Sequence, residues 1–399
     1  MAPGRIGRDA APVRDVRLSG FTHRAPLADA LAWIAANARR LGPEAVAVAD
    51  APGRVLAEAV IAPGGWPTRD TVALDGYAVR AAATEGADAY APVPLAGAVL
   101  VAAGQALPPG TDAVLPFAAV ATDGAGGIEA LVPVARGHGV ERVGGVFAPG
   151  QDVLPAGRVL RPDDLASLAL LGAAAVRVVR RPRVHLVVPG PKGGGADALT
   201  PMLSALIARD GSAGEAVPCP SPDQPGLARA CALAAAGADS VPDSVPDLVL
   251  VAGRSGAGPD DDAAPALADA GGRLDLHGVA LRPGASAGLG RLGAAVAVLL
   301  PGDPLGCLTA YDVLAAPALR RMAGLPPSPH RVTAAVLDRK LVSAAGYTDV
   351  VRVRLAAGRA VPLGTAEAGG LAPGADGFVV VPEAGEGFPA GATVEVHHG

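Results

Sequence analysis

Between residues 183 and 324 short apolar runs alternate with helix-like segments, and few architectures accommodate that order. "RVHLVVPG" (183–190), "PDLVLVAG" (246–253) and "AAVAVLLPG" (294–302) are unbroken runs closed by glycine. That is the pattern of strands covered on both faces. "DALTPMLSALIARDG" (197–211), "GLARACALAAAG" (226–237), "AAPALADAGG" (263–272) and "LGCLTAYDVLAAPALRRMAG" (305–324) read as the intervening and closing helices, the first stopped by Gly211. The alternation predicts a parallel-type α/β sheet with helices on both faces, a fold that binds its ligands beyond the carboxyl ends of the strands.

The flanks have a different texture. "PLADALAWIAANARR" (26–40) sets Leu27, Ala30, Leu31 and Ile34 on one face of an amphipathic helix, and "EAVAVADAPGRVLAEAV" follows as strand, turn and second apolar element. From 66 to 141, short Val/Ala/Leu runs punctuated by Pro and Gly predict a small all-β module. Residues 142–164 are turn-rich and end in an N-cap signature before "DLASLALLGA". From 327 onward, "RVTAAVLDR", "DVVRVRLAAG", "GFVVVPEAG" and "ATVEVHHG" predict a separate β domain. The expected organisation is 21–65 with 142–181 as a discontinuous N-terminal domain, 66–141 as an inserted β module, 182–326 as the α/β domain, and 327–399 as the β domain. The tandem duplication "DSVPDSVPD" (239–247) reads as a lengthened loop before the second strand.

Composition narrows the function. With 33 basic against 38 acidic residues the formal charge is −5, and aromatic residues make up 3% of the chain. Neither a phosphate-tracking basic run nor a set of base-stacking platforms is present, which argues against nucleic acid. Three cysteines, Cys219, Cys231 and Cys307, lie far apart without a CxxC, as expected of a protein of the reducing cytoplasm. Residues 1–20 carry Arg5, Arg8, Arg14 and Arg17 without a signal-peptide core and read as a flexible leader. The longest apolar stretch, "LASLALLGAAAV" (165–176), falls short of the roughly 20 residues that span a bilayer.

Three strand ends carry unusual glycine: "VPGPKGGGAD" (188–197), "VAGRSGAGPDDD" (251–262) and "LPGDPLG" (300–306). Glycine lets backbone N–H groups approach a ligand, and a following helix adds partial positive charge, so the three loops together predict an anion cradle. None has the GxGxxG or GxxxxGK[ST] form, which removes the dinucleotide and nucleoside-triphosphate readings. "GRSGAG" fails the GxSxG pattern because residue 257 is Ala, and the seven histidines form no HxH or HxxxH pair. Carboxylates remain: Asp260, Asp261 and Asp262 after the second loop, Asp303 in the third, Asp75 and Asp112 in the β module. Oxygen ligands of this kind suit a hard cation such as magnesium, although three aspartates before a helix also read as N-caps. Taken alone, Asp75 in "TRDTVALDGYAVR" (68–80) is a turn that starts a strand.

The order of "LDGYAVR", "LPPGTDAVLP", "PRVHLVVPG", "VAGRSGAGPDD", "VALRPG" and "LPGDPLGCLTAYDVLAAPALRRMAG" resembles the molybdopterin molybdenumtransferase family (MoeA and the E domain of gephyrin) from about residue 24 to the end. The resemblance implies an elongated homodimer of four-domain subunits with a molybdopterin-binding α/β domain and a C-terminal β barrel. Its active site would lie between the α/β domain of one subunit and the inserted β module of the other. There adenylylated molybdopterin is cleaved with a divalent cation such as magnesium, AMP leaves, and molybdate enters the dithiolene. Asp75, followed by Gly76 and Tyr77, matches the acid of the family's M-D-G-Y-A motif and is the expected carboxylate offered to the partner's cleft, with Asp260 the second expected catalytic and metal-binding acid.

By the same resemblance Gly76, Tyr77, Gly190, Lys192, Gly253, Ser255, Pro283, Gly284, Pro301, Gly302, Asp303 and Pro304 would contact the cofactor precursor. The chain also departs from the family. Val72 and Leu74 replace a serine and a methionine of the M-D-G-Y-A segment, and Phe147 and Lys192 stand where two further acids are expected. The proline-glycine-lysine loop becomes Pro283-Gly284-Ala285. Lysine in place of a carboxylate repels a divalent cation. Two functions are therefore carried forward: a molybdenumtransferase with a rearranged cleft, and a molybdopterin-binding carrier or scaffold serving a molybdoenzyme.

Overall fold

The computed structural model describes residues 15–123, 126–190, 197–219, 221, 223–237, 245–364 and 372–399. Lys192, most of the expected leader and residues 239–244 of the duplication lie outside them. The chain divides into two compact units, Glu44–Val178 and Met1–Pro43 with Val179–Gly399.

In the unit Glu44–Val178, strand Gly76–Val79 lies between Val99–Val101 and Ala113–Pro116, antiparallel to both. A second three-stranded sheet joins Val93–Pro94, Ile128–Ala130 and Val120–Thr122. Val79, Leu95, Ala113, Leu115 and Ala130 form their shared core, which is small because the side chains are. Leu56, Leu154, Leu160, Leu168 and Val178 make a second core beneath helix Pro162–Leu170. That helix starts where its sequence signature predicts, with proline in the first turn and the Asp164 carboxylate accepting from the Arg161 backbone N–H at 2.9 Å. A hydrogen bond from Arg158 holds the Asp164 carboxyl below the usual carboxylate range.

The other unit opens with helix α1 (Leu27–Asn37). Its buried Trp33 donates Nε1–H to Asp275 at 2.9 Å, pinning the helix to the sheet that follows. That sheet consists of β1 (Arg183–Val187), β2 (Ala213–Val217), β3 (Leu248–Ala252), β4 (Arg273–His277), β5 (Gly288–Leu292) and β6 (Ala295–Leu300). Helices α2 (Leu199–Arg209), α3 (Gln224–Ala236), α4 (Ala263–Asp269) and α5 (Pro304–Ala310) cover it.

The strand order is β2-β1-β3-β6-β5-β4. Side-chain alternation feeds both faces: Leu248 and Leu250 join Val184, Leu203 and Tyr311 on one side, while Val249 and Val251 join Leu227, Ala230 and Leu267 on the other. The four strands β2, β1, β3 and β6 are parallel, but β5 runs against them and pairs antiparallel with both β6 and β4, so the sheet is mixed. The reason is local, since only Gly293 and Ala294 separate β5 from β6 and so short a link makes a hairpin, not a crossover. Edge strand β2 is mostly exposed and polar in its middle, which hid it from an apolar-run search.

The closing helix is not uniform. After α5 a single π turn, Tyr311–Ala315, leads into α6 (Ala316–Met322). Tyr311 is fully buried there and its hydroxyl donates to Asp210 at 3.1 Å, while Arg320 reaches the other oxygen of Asp210 at 2.9 Å.

The C-terminal domain is a closed five-stranded barrel: Thr348–Ala356 pairs with Arg359–Pro362, which pairs with Val332–Leu337, then Thr393–His398, then Gly377–Val381, which returns to Thr348–Ala356. Closure leaves no free edge. Among the described residues no helix is long and apolar enough to cross a membrane.

Candidate functional site

The carboxyl ends of β1, β3 and β6 open on a cavity of about 500 Å3. Of the residues singled out in the sequence, Gly190, Gly253, Ser255, Pro301, Gly302, Asp303 and Pro304 line it. The three glycine-rich loops thus meet at one edge because their strands are neighbours in register, Val187 beside Val251 and Ala252 beside Leu300. Gly253 has φ 105°, a conformation that side chains rarely adopt, and the Gly253 N–H is fixed by the Leu300 carbonyl at 2.9 Å.

Among the described residues three aspartates line the cavity, and each is turned onto its own loop. Asp197 accepts from the backbone N–H groups of Leu199 and Thr200 at 3.0 and 3.1 Å. Asp261 accepts from Gly258 N–H and Asp303 from Gly306 N–H, both at 2.6 Å. For Asp197, burial pushes the carboxyl up, but the hydrogen bonds from Thr200 and Leu199 outweigh it and leave it below the usual range. Part of the anion-cradling backbone is therefore already engaged by carboxylates of the same chain. Asp303 is the N-cap of α5, whereas the residue ahead of α4, Asp262, makes no capping bond and instead pairs with Arg17 at 2.8 Å.

Arg254 is the feature that motif reading passed over. It lines the cavity beside Gly253, holds a left-handed backbone at φ 55°, and keeps a side chain only 11% exposed. A non-glycine residue in that region costs roughly 1–2 kcal/mol, so the strand end is spending stability to aim this side chain. Its Nη1 lies 3.6 Å from Asp262, and its buried Nε has no hydrogen-bond partner among the described residues. The signal available in the sequence was a cation inside a glycine loop.

Ser255 is held by two contacts. Its hydroxyl is 3.0 Å from that of Ser286, and its carbonyl accepts Nε2–H of His277 at 2.9 Å. Burial pushes the His277 pKa down, which keeps the ring neutral.

Other sequence-selected residues lie elsewhere. Asp260 is exposed on the β3 loop and is not among the residues that line the cavity. Pro283 and Gly284 are not lining residues either; their loop reaches the cavity through Ser286. Asp75 belongs to the other compact unit, where it is exposed and accepts Ala103 N–H at 2.8 Å. Gly76 begins the strand behind it, and a methyl group there would fall 2.0 Å from the Leu115 carbonyl oxygen. Tyr77 packs edge-on against Phe117 with ring centres 5.9 Å apart. Among the described residues, no group of three His, Cys, Asp or Glu side chains could hold a metal ion.

Comparison with known proteins gives three consecutive family matches. Residues 25–172 match the MoeA N-terminal region (domain I and II), 177–321 a probable molybdopterin binding domain, and 334–398 the MoeA C-terminal region (domain IV). The chain is 32% identical over 349 residues to molybdopterin molybdenumtransferase 2 of Mycobacterium tuberculosis, covering 78% of this chain and 83% of that one. It is 26% identical over 421 residues to molybdopterin molybdenumtransferase 1 of the same organism, covering 92% and 96%. A solved molybdopterin biosynthesis MoeA protein from Pyrococcus horikosii superposes with a TM-score of 0.75 at 27% identity, covering 94% of this chain and 99% of that one.

Proposed function

Because the chain belongs to the molybdopterin molybdenumtransferase (MoeA) family, we propose that it acts in molybdenum cofactor biosynthesis, accepting adenylylated molybdopterin and molybdate and releasing AMP as the metal enters the dithiolene. The observation that carries this reading is the convergence of the three glycine loops on one cavity at the carboxyl ends of β1, β3 and β6. That edge is where an open α/β sheet binds its ligand. In this reading Gly190, Gly253, Ser255 and the Pro301–Pro304 turn hold the pterin phosphate, and Asp75 and Asp260 are the catalytic acids. The four-part domain division, a homodimer that brings Asp75 to the partner's cavity, and a cytoplasmic setting belong to the same proposal.

Magnesium is not assigned a place. The carboxylates that line the cavity among the described residues each accept loop N–H groups, and the described residues contain no three-ligand cluster. A hard divalent cation needs several oxygen ligands at once.

That depletion of acids favours a second reading, in which the chain binds molybdopterin or finished cofactor and carries it to a molybdoenzyme. One experiment separates the two. Purified protein is incubated with adenylylated molybdopterin and molybdate, with and without magnesium, and AMP is followed by chromatography alongside retention of the pterin. AMP release above background supports the transferase. Pterin retention without AMP supports the carrier, and neither result removes both.

A further inference from the structure

At the opposite edge of the α/β sheet, where the strands begin, lies a second cavity of about 610 Å3. Its polar wall is made by Arg39, Arg180, Arg183 and Arg291, with Asn37 and Asp247. Four structural elements deliver these residues: the end of α1, the segment entering β1, the entry to β3 and the end of β5.

Among the described residues the charges do not cancel. Asp247 is used by Arg180 through two hydrogen bonds, of 2.7 and 3.0 Å, and by the backbone N–H of Arg183 at 2.8 Å. The guanidinium of Arg291 is held by the neutral Asn37 side chain. Neither Arg39 nor Arg183 has a side-chain partner among the described residues. Among the described residues four guanidinium groups therefore face one carboxylate, an excess of three positive charges in a chain of formal charge −5. The cavity at the carboxyl ends has, among the described residues, the reverse lining, three aspartates and one arginine.

The wall is built on fixed backbone. Asn37 donates back to the Trp33 carbonyl at 2.8 Å, Leu41 N–H to the Met322 carbonyl at 2.9 Å, and Asp247 N–H to the Arg183 carbonyl at 2.9 Å. Like charges held together on an ordered frame repel, and an anion offsets that repulsion. Planar guanidinium groups arriving from several sides match phosphate oxygens, which accept paired N–H bonds. The volume is that of a small-molecule pocket, and Leu41, Val296 and Met322 give it an apolar floor.

We propose that this edge is a second binding site, for a small molecule bearing a di- or triphosphate, separate from the cavity at the carboxyl ends and independent of what that cavity binds.

The test is titration calorimetry of the full chain with pyrophosphate and with ATP in magnesium-free buffer. Binding is expected at one site per chain, weakening as salt is raised. The double substitution Arg39→Ala/Arg291→Ala removes two exposed side chains, and with an unchanged melting temperature it should weaken pyrophosphate by about tenfold or more. Arg183→Gln, tested alone, should weaken it in the same direction. No binding, or binding indifferent to both variants, overturns the proposal. So does loss of binding only on Arg254→Gly, which would place the anion in the other cavity. A short Asp/Glu peptide that binds about tenfold more tightly than pyrophosphate through the same arginines would overturn it in favour of a protein partner.

Discussion

Gly302 faces Gly253 so closely that a methyl group added to Gly302 would lie 3.4 Å from the Gly253 Cα. The floor of the cavity is thus two loops in backbone-to-backbone approach, and the two glycines carry different requirements. Gly253 sits at φ 105°, so Gly253→Ala should cost about 1–2 kcal/mol of stability by denaturant titration. Gly302→Ala meets only ordinary contact distance and should be near neutral, whereas Gly302→Leu should block pterin binding with a smaller loss of stability than of affinity. Equal midpoints for Gly253→Ala and wild type would show that the backbone there relaxes freely.

A buried ion cluster joins the α/β domain to the barrel. Asp312, in the π turn, lies 3.0 Å from Arg209 and 3.4 Å from Arg352, with His330 at 3.5 Å. Arg209 also pairs with Asp210 at 2.8 Å, but removing the Asp312 carboxylate leaves the buried Arg352 guanidinium without its acidic partner, and Asp312→Ala should cost about 3–5 kcal/mol. Burial raises the Asp312 pKa, but the neighbouring His330 ring and the two arginines outweigh it and leave it lowered. A depressed folded pKa means that the contribution is complete above the unfolded value of about 3.9 and disappears as pH falls through the folded value. Urea midpoints from pH 7 to pH 3 should decline more steeply at the acid end for wild type than for Asp312→Asn; parallel curves would refute the linkage.

His277 titrates in the opposite sense to a histidine that gains an acidic partner. Burial lowers its pKa, and its Nε2–H is committed to the Ser255 carbonyl. The unfolded chain takes up a proton near pH 6.5 while the folded one resists, so stability is full above that value and declines as pH drops below it. A histidine NMR titration should place the His277 midpoint below 6.5, and the Ser255 loop should lose hydrogen-exchange protection over the same range. A midpoint at or above 6.5 is incompatible with the buried neutral ring.

Neighbouring residues in the β module separate structure from function. Gly76→Ala puts a methyl group 2.0 Å from the Leu115 oxygen and should destabilise the unit by about 1–3 kcal/mol. Asp75 is exposed with one hydrogen bond to Ala103, so Asp75→Asn should cost no more than about 1 kcal/mol. If Asp75 acts in the transferase reaction, the same change should slow AMP release by about 100-fold. Unaltered turnover would leave Asp75 as a turn residue only.

Periodicity carried much of the architecture. The apolar runs at β1, β3 and β6 could only be strands buried on both faces, and the positions of Gly190, Gly253 and Gly302 after them follow from where those runs stop. Strands β2, β4 and β5 were not legible: β2 and β4 are edge strands with much of their length in solvent, and β5, though interior, is broken by Gly288, Gly290 and Arg291, so none presents a continuous apolar run.

What the sequence determined by itself is therefore the set of covered strands, the glycine loops that end them, and membership of a family whose motifs run in the same order. What only the tertiary structure decided is charge. It showed that Asp197, Asp261 and Asp303 accept N–H groups of their own loops, that Arg254 is a cation set among them, and that arginines up to 252 positions apart, Arg39 to Arg291, share a pocket at the far edge. Hydrophobic burial repeats along the chain and leaves a periodic trace, but an electrostatic interaction depends on distance in space, which residue spacing does not encode.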